Sequence, residues 1–467
     1  MIEMTLREIA AAVGGTLHDA EDADAPVSGA AFVDTRLPVP GGLFAALPGE
    51  RADGHDHAAS AHHAGAAAVL ASRPVGVPAI VVPDVVEALG LLASRLIERR
   101  PDLNVVAITG SAGKTGTKDL IARLLGAAGP TVATNGNFNN EIGVPLTVSL
   151  LEPDTRHLVL EMGARGVGHI EYLARVASPR IGVVLNVGDA HIGGFGSVEA
   201  IARGKGELVE ALPEDGGLAV LNADDARVRA MAARTLAQVV LFGRSGDAAV
   251  RAEDVRVDEH GRPSFVLHVP EGSAPVALRL TGEFHVSNAL AAAAVARAAG
   301  LGLDEIAEGL STAVPVSRWR MEITERADGV TIVNDAYNAN PQAMRTALKA
   351  VAALANGRRI VAVFGPMLEL GDDAELAHHA RLGEAAAKYG AGLVVAVGDR
   401  LAEEIYRAAS AAGVEALSAP DRATALVLLR AALRPGDVVL VKASRAAGLE
   451  KLAEQLVSDE PPAGTDR

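Results

Sequence analysis

The residues with the clearest chemistry form a glycine-rich turn within ITGSAGKTGTKDL, residues 108–120. The pattern Gly-x-x-Gly-Lys-Thr is similar to a phosphate-binding loop, but Ile108 stands where the first glycine of the longer, commoner pattern falls. In such a turn backbone N–H groups surround phosphate, the lysine neutralises its charge, and the next hydroxyl group can bind Mg²⁺. The sequence therefore predicts an ATP and Mg²⁺ site, the alternative being a chance glycine-rich turn. The predicted ATP-binding residues here are Thr109, Gly110, Ser111, Ala112, Gly113, Lys114 and Thr115.

Several polar residues follow apolar segments that read as buried parallel strands, such as HLVLEMG, IGVVLNVGDAH and GLAVLNADD. Ligands of open parallel sheets bind beyond the carboxyl ends of the strands, so these residues should face one crevice. They are Glu161, Asn186, His191 and Asp224. Glu161 is the expected acidic Mg²⁺ ligand, and a structural ion pair with Arg165 is the alternative. A lone histidine such as His191 is more often structural than a ligand.

A second set of candidates lies in SRWRMEI and NDAYNANPQAM. Asp335 follows the strand-like segment VTIVN and precedes a helix that should begin at Pro341. Asn338 and Asn340 could simply cap that helix, or they could face a ligand at a second strand end. Arg320 follows a presumed domain hinge, where it could reach across a cleft to a phosphate, although alone it would be a surface arginine.

Two further features are ambiguous from spacing alone. Lys205, in IARGKGEL, lies on a predicted helix, and an isolated helical lysine is usually a solvated surface charge. Four histidines cluster in GHDHAASAHH, at His55, His57, His62 and His63. Their spacing permits a metal site, but the segment lacks a matched set of strong ligands, so we favour no metal there.

Composition limits the class of protein. The chain has 467 residues, enough for about three domains. Its net charge of −15 argues against sequence-independent binding to nucleic acid or to anionic membranes. It has no cysteine, no signal-peptide pattern and no apolar segment of about 18 residues, so we expect a cytoplasmic protein without membrane insertion. Aromatic residues make up only 3% of the chain, so its cores must be built from Ala, Val and Leu.

The order of strand-like and helix-like segments predicts an α/β fold with three domains. Residues 1–97 read as a small α/β unit, and 98–315 as a domain with a mostly parallel sheet. Within the second unit, residues 250–282 alternate apolar and polar residues, which indicates antiparallel hairpins. Residues 316–457 read as a doubly wound unit, with strands near 330–334, 359–364, 393–397 and 437–441. We expect 458–467 to be a disordered tail.

Taken together and in order, these motifs resemble those of the Mur ligases of bacterial cell-wall synthesis. The family's shortened phosphate loop is similar to TGSAGKT, which accounts for the missing glycine. The resemblance covers nearly the whole chain, and YNANP favours the member that adds D-Ala-D-Ala over the diaminopimelate- or lysine-adding member, since no DNPR occurs. The other matching segments are NFNNEIGVPLT, EMGARGVGHI, NVGDAHIGGFGS, NADD, GEFHVSNALAAAA, MLELG and GDVVLVKASRAAGLE.

The resemblance implies an N-terminal UDP-sugar-binding domain, a central P-loop ATPase domain and a C-terminal Rossmann-like domain that closes over the site. It implies a ligase that couples ATP to amide formation through an acyl phosphate, with UDP-N-acetylmuramoyl-tripeptide and D-Ala-D-Ala as substrates. The third residue of the tripeptide, diaminopimelate or lysine, stays open. We further expect a monomer.

The resemblance also implies residue roles. Lys114 would hold the terminal phosphates, Thr115, Glu161 and His191 would bind Mg²⁺, and Lys205 would be carbamylated and so become an anionic metal ligand. Arg320 would reach the γ-phosphate and Asp335 the ribose. The residues implied to line the adenine pocket are Asn222, His285 and Asn288. Those implied to contact the other substrates are Asp34, Thr35, Arg36, Asn137, Asn139, Asn140, Tyr337 and Asn338.

Two positions depart from the family's pattern. Pro366 stands where the family usually has Asp, and Ala443 where Gly is usual, both in the third domain, where the dipeptide should bind. Two alternatives remain: a sister ligase such as a folylpolyglutamate synthase or another Mur member, and a nucleotide-binding scaffold with a degenerate site. The DTR…LF…DGH module argues against the folate enzyme, and intact Lys114, Glu161 and Lys205 argue against the scaffold.

Overall fold

Three sheets, each covered by helices, organise the chain. The structure is a computed structural model that describes residues 1–49, 52–188, 192–368, 370 and 375–458. Within these residues no helix is long and apolar enough to cross a membrane. The α/β fold predicted from the sequence is confirmed. The predicted domain boundaries stay predictions.

The N-terminal part of the chain builds a five-stranded sheet and a separate two-stranded pair. Its strands are β1 (Met4–Thr5), β2 (Thr16–His18), β3 (Pro26–Val27), β4 (Ala31–Phe32), β5 (Leu43–Ala45), β6 (Ala68–Ala71) and β7 (Ala79–Val81), and its helices α1 (Leu6–Val13), α2 (Ala58–His63) and α3 (Val85–Glu98). A 3-10 turn spans Gly54–His57. The sheet order is β2-β7-β6-β5-β4, parallel except for β2, and β1 pairs with β3. Helix α1 begins with a capping box in which Thr5 and Glu8 satisfy each other's backbone N–H groups.

The middle part of the chain builds a nine-stranded sheet. Its strands are β8 (Asn104–Thr109), β9 (Thr131–Ala133), β10 (His157–Glu161), β11 (Ile181–Val184), β12 (Leu218–Asn222), β13 (Gln238–Gly243), β14 (Val250–Val257), β15 (Pro263–Val269) and β16 (Gly272–Ala277). The order is β16-β15-β14-β13-β12-β11-β8-β10-β9. Neighbouring strands from β14 to β9 in this order pair in parallel. The pairs β14–β15 and β15–β16 are antiparallel, as the alternation in 250–282 predicted.

Eight helices lie on this sheet: α4 (Lys114–Ala128), α5 (Gly143–Val148), α6 (His169–Ala177), α7 (Ile192–Phe195), α8 (Val198–Glu210), α9 (Ala226–Ala230), α10 (His285–Ala298) and α11 (Leu303–Ser311). A 3-10 turn spans Met231–Arg234. Helix α10 is buried on nearly all sides, including every residue from Asn288 to Ala296. Small alanine side chains let α4 and the sheet approach this helix closely, which is how a chain poor in aromatic residues fills its core.

The C-terminal part builds a six-stranded sheet. Its strands are β17 (Glu322–Glu325), β18 (Thr331–Asn334), β19 (Ile360–Phe364), β20 (Ala391–Val397), β21 (Glu415–Ala419) and β22 (Val438–Lys442), and its helices α12 (Pro341–Ala355), α13 (Glu375–Lys388), α14 (Arg400–Ala411), α15 (Arg422–Ala432) and α16 (Glu450–Ser458). A short 3-10 turn spans Arg445–Ala447. The order is β17-β18-β22-β19-β20-β21, parallel except for β17. The strands that flank the order reversal, β18, β22 and β19, end beside the cleft described next.

Candidate active site

The predicted phosphate loop connects the buried strand β8 to helix α4. Gly113 has a φ of +85°, and a Cβ atom there would lie 2.8 Å from Oδ1 of Asn288, so glycine is required on both counts. No side chain of the described residues caps the N-terminus of α4, although most other long helices here carry a Thr, Ser, Asp or Asn cap. The N–H groups of its first turn are therefore available to an anion.

Asn186, at the end of β11, braces this loop from the neighbouring strand. Its side-chain oxygen accepts from the N–H of Ala112 at 2.9 Å, and its amide nitrogen donates to the carbonyl of Ala112 at 3.0 Å. The hydroxyl group of Ser111 also exchanges hydrogen bonds with the backbone of Gly188. These hydrogen bonds fix the loop against the end of β11.

Lys114 lies at the start of α4 and donates a 2.7 Å hydrogen bond to the carbonyl of Gly110. Burial lowers the pKa of its ammonium group; the nearby Glu161 carboxylate raises that pKa, and Arg320 lowers it. The charges of Lys114 and Glu161, from the middle part of the chain, therefore interact with that of Arg320, from the C-terminal part, at the start of α4.

Glu161 ends β10, the strand next to β8, and is 2% exposed. One carboxylate oxygen accepts from the hydroxyl group of Thr115 at 2.9 Å and the other from the amide of Asn139 at 2.8 Å. Its backbone N–H donates to the hydroxyl group of Thr134. These contacts place the Glu161 carboxylate between Thr115 and Asn139, at the start of α4.

Thr115 and Glu161 together suit Mg²⁺, because a hydroxyl group and a carboxylate are hard oxygen donors and Mg²⁺ commonly takes its remaining ligands from phosphate and water. The predicted third ligand, His191, lies outside the described residues. Within them no group of three or more His, Cys, Asp or Glu side chains could hold a metal ion, and the histidine cluster is no exception. There His55 instead contacts Asp53 and Ser72, and His62 the carbonyl of Ala66.

Lys205, on α8, is buried rather than solvated, being 2% exposed. Burial lowers its pKa well below the ordinary value, and the charge of Lys114 lowers it further. No hydrogen bond or ion pair of its ammonium group occurs within the described part of the chain. Because Lys205 is buried, its interpretation as a solvated surface charge is wrong. A buried lysine amine that is neutral can act as a nucleophile.

The glycines on either side of Lys205 make room for two other side chains. A Cβ atom at Gly204 would lie 2.7 Å from the ring of Phe195, and one at Gly206 would clash with the guanidinium of Arg234. Arg234 donates to the carbonyls of Ala202 and Arg203 in the same helix. These contacts explain two glycines within a helix, each of which costs about 1 kcal/mol relative to alanine.

A cleft of about 410 Å³ contains most of these groups. It joins the phosphate loop and β10 to the C-terminal sheet, so residues far apart in sequence share one surface. The residues predicted to act here and found in its lining are Ser111, Gly113, Lys114, Thr115, Asn137, Asn139, Asn140, Glu161, Arg320, Tyr337 and Asn338. Of the asparagines, Asn139 donates to Glu161, while Asn140 accepts from the backbone N–H groups of Ile142 and Gly143 at the start of α5.

Asp335 is held within the C-terminal part of the chain. One carboxylate oxygen accepts from the N–H of Met321 at 3.0 Å, and the other pairs with the ammonium of Lys442 at 2.6 Å. Lys442 also donates to the carbonyls of Asp335 and Asn338. The ribose contact expected of Asp335 stays a prediction, and in this structure both of its oxygens already have partners.

The three residues expected to line one adenine pocket lie at three neighbouring sites instead. Asn222 lines a cavity of about 360 Å³ between the middle sheet and α12, together with Phe284, Leu290 and Ala350. Asn288 lies against the phosphate loop, and His285 lines a separate pocket of about 100 Å³ beside Arg320 and the 313–317 segment. Burial lowers the pKa of His285 to about 4, so the ring is neutral at pH 7.

The rim of the 360 Å³ cavity carries an ion-pair bridge between two parts of the chain. Glu283, before α10, pairs with Arg244 at 2.8 Å and with Lys349 of α12 at 2.8 Å. Asp224, predicted to face the crevice, lies on this cavity but accepts from the backbone N–H groups of Arg244 and Ser245. Asp224 is therefore a structural residue of the cavity wall.

The uridine-side motif lies in the loop after β4. Arg36 donates to both carboxylate oxygens of Asp34, at 2.9 Å and 2.7 Å, and this contact lowers the pKa of Asp34 to about 2. Arg36 is exposed, and Thr35 lies half-buried between them. None of the three lines the central cleft, so the structure does not bring them to the phosphate loop.

The two departures from the family's pattern lie side by side. A Cβ atom at Gly365 would come within 2.8 Å of the Cβ of Ala443, which is fully buried. Ser444 donates its N–H to the carbonyl of Pro366 and accepts from the N–H of Leu368. His379 accepts from the N–H of Met367. The segment that begins at Pro366 is thus fastened by β22 and α13.

The comparisons with known proteins agree with this geometry. Family models described as "Mur ligase family, catalytic domain", "Mur ligase middle domain" and "Mur ligase, glutamate ligase domain" match residues 33–96, 108–296 and 319–445. The chain belongs to the Mur ligase family.

Among its relatives, the UDP-N-acetylmuramoyl-tripeptide–D-alanyl-D-alanine ligase of Mycobacterium tuberculosis is 47% identical over 98% of this chain and 99% of the relative. That of Escherichia coli is 36% identical with the same coverage. Among solved structures, MurF from Acinetobacter baumannii has a TM-score of 0.86 and 31% identity over 98% of this chain and 99% of that chain. MurF ligase from Thermotoga maritima, solved in complex with ADP, has a TM-score of 0.79 and 30% identity over 93% and 98% of the two chains.

Proposed function

We propose that this chain is an ATP-dependent ligase that joins D-Ala-D-Ala to UDP-N-acetylmuramoyl-tripeptide in peptidoglycan precursor synthesis. The observation that carries the proposal is the cleft in which Lys114, Glu161 and Arg320 meet although they come from separate parts of the chain. Full-length similarity to ligases named for this reaction, at up to 47% identity, supports the choice of substrates.

The triphosphate of ATP would lie on the loop from Gly110 to Gly113, with the uncapped N-terminus of α4 facing its charge. The base would occupy the 360 Å³ cavity at Asn222. Strand β12 is two positions from β8 in the sheet, or about 10 Å, a distance that a nucleotide spans. The apolar lining at Phe284 and Leu290 suits the faces of a planar base.

The reaction begins with an electrostatic problem, because a substrate carboxylate must attack the γ-phosphate of ATP and both are anions. Lys114 and Arg320 reduce that repulsion from opposite sides of the cleft. The attack breaks the bond between the β- and γ-phosphates, releases ADP and forms an acyl phosphate. The amine of D-Ala-D-Ala then adds to the carbonyl carbon and loses a proton, and the tetrahedral intermediate expels phosphate. Because water would hydrolyse the acyl phosphate, burial of the site between two parts of the chain favours ligation.

Thr115 and Glu161 would hold Mg²⁺, which when bound neutralises phosphate charge and orients the oxygens that react. Asn139 keeps the Glu161 carboxylate turned toward Thr115. For Lys205 we propose carbamylation: burial lowers the pKa of its ammonium group, which favours the amine. The amine attacks CO₂, one proton is released, and the side chain becomes an anion suited to metal. His191 is retained as a proposed ligand on sequence grounds.

The peptide substrates would meet in the part of the cleft formed by Asn137, Tyr337 and Asn338. Asp34, Thr35 and Arg36 would contact the uridine end of the UDP-sugar, and Asp335 the ribose of ATP. We also propose the domain boundaries 1–97, 98–315 and 316–457, and a monomeric state.

The decisive experiment measures ADP release with each substrate omitted in turn. We expect turnover only when ATP, UDP-N-acetylmuramoyl-tripeptide and D-Ala-D-Ala are all present, with a product whose mass equals the two peptides joined minus water. UDP-N-acetylmuramoyl-dipeptide with diaminopimelate or lysine is the control for a sister activity. Turnover with that pair and none with D-Ala-D-Ala would overturn the proposal. Comparing tripeptides that end in diaminopimelate and in lysine identifies the third residue.

A further inference from the structure

The backbone on both sides of Arg320 has a conformation that bulky residues rarely adopt. Trp319 has a φ of +58° and Met321 a φ of +48°. The left-handed region is disfavoured for any residue with a Cβ atom, so it persists only where the surroundings enforce it. The other non-glycine residues with positive φ in the described chain are all short and polar: Asp19, Ser178, Asp254 and Asn356.

Two carboxylates enforce this conformation through the backbone. The N–H of Trp319 donates to Glu322 at 2.9 Å, and the N–H of Met321 donates to Asp335 at 3.0 Å. Asp335 is itself fixed by its ion pair with Lys442. The three-residue segment is therefore tied to β17 and to the end of β18.

The side chains on this segment form a stack that ends at Arg320. The guanidinium of Arg445 lies 4.2 Å from the centre of the Trp319 ring, and that ring stacks on Tyr337 with centres 6.5 Å apart. The guanidinium of Arg320 then lies 4.1 Å from the centre of the Tyr337 ring. The indole N–H of Trp319 also donates to Glu454 of α16 at 3.0 Å, which fixes the plane of the indole.

The Nε atom of Arg320 is buried and has no hydrogen-bond partner in the described part of the chain. A flat guanidinium is attracted to the face of an aromatic ring, and more strongly when it is partly desolvated, but this contact positions the guanidinium only if the ring is itself held in place. Here Trp319 supplies the surface that holds the Tyr337 ring.

We propose that Trp319 is a positioning residue, which acts through Tyr337 to fix the guanidinium of Arg320 in the cleft before nucleotide binds. This inference rests on the proposed function, in which Arg320 contacts the transferring phosphate. The strain at positions 319 and 321 is then the cost of turning the arginine into the cleft, while both flanking side chains stay packed against the C-terminal sheet.

The test is a double-mutant cycle with backbone-matched variants. Trp319→Gly removes the ring but accepts the positive φ, and Trp319→Phe keeps an aromatic face but loses the bond to Glu454. Each is combined with Arg320→Ala, and kcat and KM for ATP are measured with both peptide substrates present. Melting temperatures are recorded for every variant. If Trp319→Gly does not fold, Trp319→Asn replaces it, because Asn also tolerates a positive φ.

We expect Trp319→Gly to lower kcat about tenfold in the wild-type background and less than about twofold in the Arg320→Ala background. Trp319→Phe should restore kcat to within about threefold of wild type, since an aromatic face remains. An equal loss in both backgrounds, or a loss that Phe does not restore, overturns the inference. A wild-type enzyme without D-Ala-D-Ala-dependent turnover would instead overturn the proposed function, so the two failures can be told apart.

Discussion

The hydroxyl group of Thr115 donates a 2.9 Å hydrogen bond to Glu161, which joins the first turn of α4 to the end of the neighbouring strand β10. Asn139 takes the other carboxylate oxygen. The two expected metal ligands are thus positioned against each other by the protein itself. If both groups hold a cation, the Thr115 hydroxyl group would turn its proton away from Glu161.

The charge of Glu161, rather than its shape, should matter for activity. Glu161→Gln keeps an acceptor for Thr115 and fills the same space, but it removes the negative charge that would hold Mg²⁺. We expect kcat to fall at least about 100-fold and the Mg²⁺ concentration for half-maximal activity to rise, with little change in melting temperature. Steady-state assays over a Mg²⁺ titration check this. Unchanged Mg²⁺ dependence in Glu161→Gln would contradict the assignment.

Lys205→Met should abolish activity without destabilising the fold, because methionine fills the space of a buried lysine whose charge is disfavoured there. We expect a loss of at least about 100-fold and an unchanged or higher melting temperature. Wild-type activity should fall in CO₂-depleted buffer and return with bicarbonate. Carbon-13 bicarbonate should give a carbamate NMR signal in the wild type but not in Lys205→Met. Lys118→Met, at a buried lysine paired with Asp119, is the control that should keep this signal.

Asn186→Ala should weaken ATP binding. The substitution removes two hydrogen bonds to Ala112, each worth about 1 kcal/mol, so we expect KM for ATP to rise about tenfold or more with a smaller effect on kcat. Asn104→Ala, at the opposite end of β8, is the matched control and should leave this KM unchanged. An equal change in both variants would show that the effect is general to the sheet.

Gly365 and Ala443 should behave as a coupled pair. Gly365→Ala places two Cβ atoms 2.8 Å apart and should lower the free energy of unfolding by about 1–3 kcal/mol. In the Ala443→Gly background, Gly365→Ala should lower the free energy of unfolding much less, because the methyl group of Ala443 is no longer there. Urea unfolding of the four proteins of this cycle measures the coupling. Additive losses would mean that the close approach relaxes elsewhere.

The pKa of His285 predicts a stability change in acid. Burial lowers this pKa from 6.5 to about 4, so between these values the unfolded chain binds a proton that the folded chain does not. Stability should therefore fall as pH drops from 6.5 toward 4 and be insensitive to this group above pH 7. Urea unfolding at pH 7 and pH 5 should show a loss about 1–2 kcal/mol smaller in His285→Gln than in wild type. The exposed His63→Gln should show the wild-type loss.

The sequence was sufficient where one local rule decides the outcome. An apolar β-branched strand followed by a glycine-rich turn predicted that Lys114 and Thr115 begin a helix, and they begin α4. The position of Glu161 after an apolar strand predicted that it faces the same crevice, and it lines the same cleft. Pro341 marked the first residue of α12. These predictions depend on neighbours in sequence and on the shared edge of a parallel sheet.

Features that depend on tertiary contacts were harder to predict from the sequence. Nothing in IARGKGEL reveals that Phe195 and Arg234 pack against the glycines on either side of Lys205, or that Lys205 is itself buried. The edge strand β21 went unpredicted because EALSA is partly exposed and only weakly apolar. Asn186 was expected in the crevice, but its two bonds to the loop depend on strand order. Lys442, the partner of Asp335, carried no local signal beyond a lysine at a strand end.

The cavity at Asn222 has one wall on the middle sheet and the other on α12, with the Glu283 bridge across its rim. Under the proposed function the base of ADP would lie between the two parts of the chain, so their separation would open the way for its release. Such a movement displaces solvent, whereas bond making within the cleft does not. Where this opening is the slowest step, adding glycerol or sucrose to thicken the medium slows the overall turnover, even though the chemical steps keep their rates.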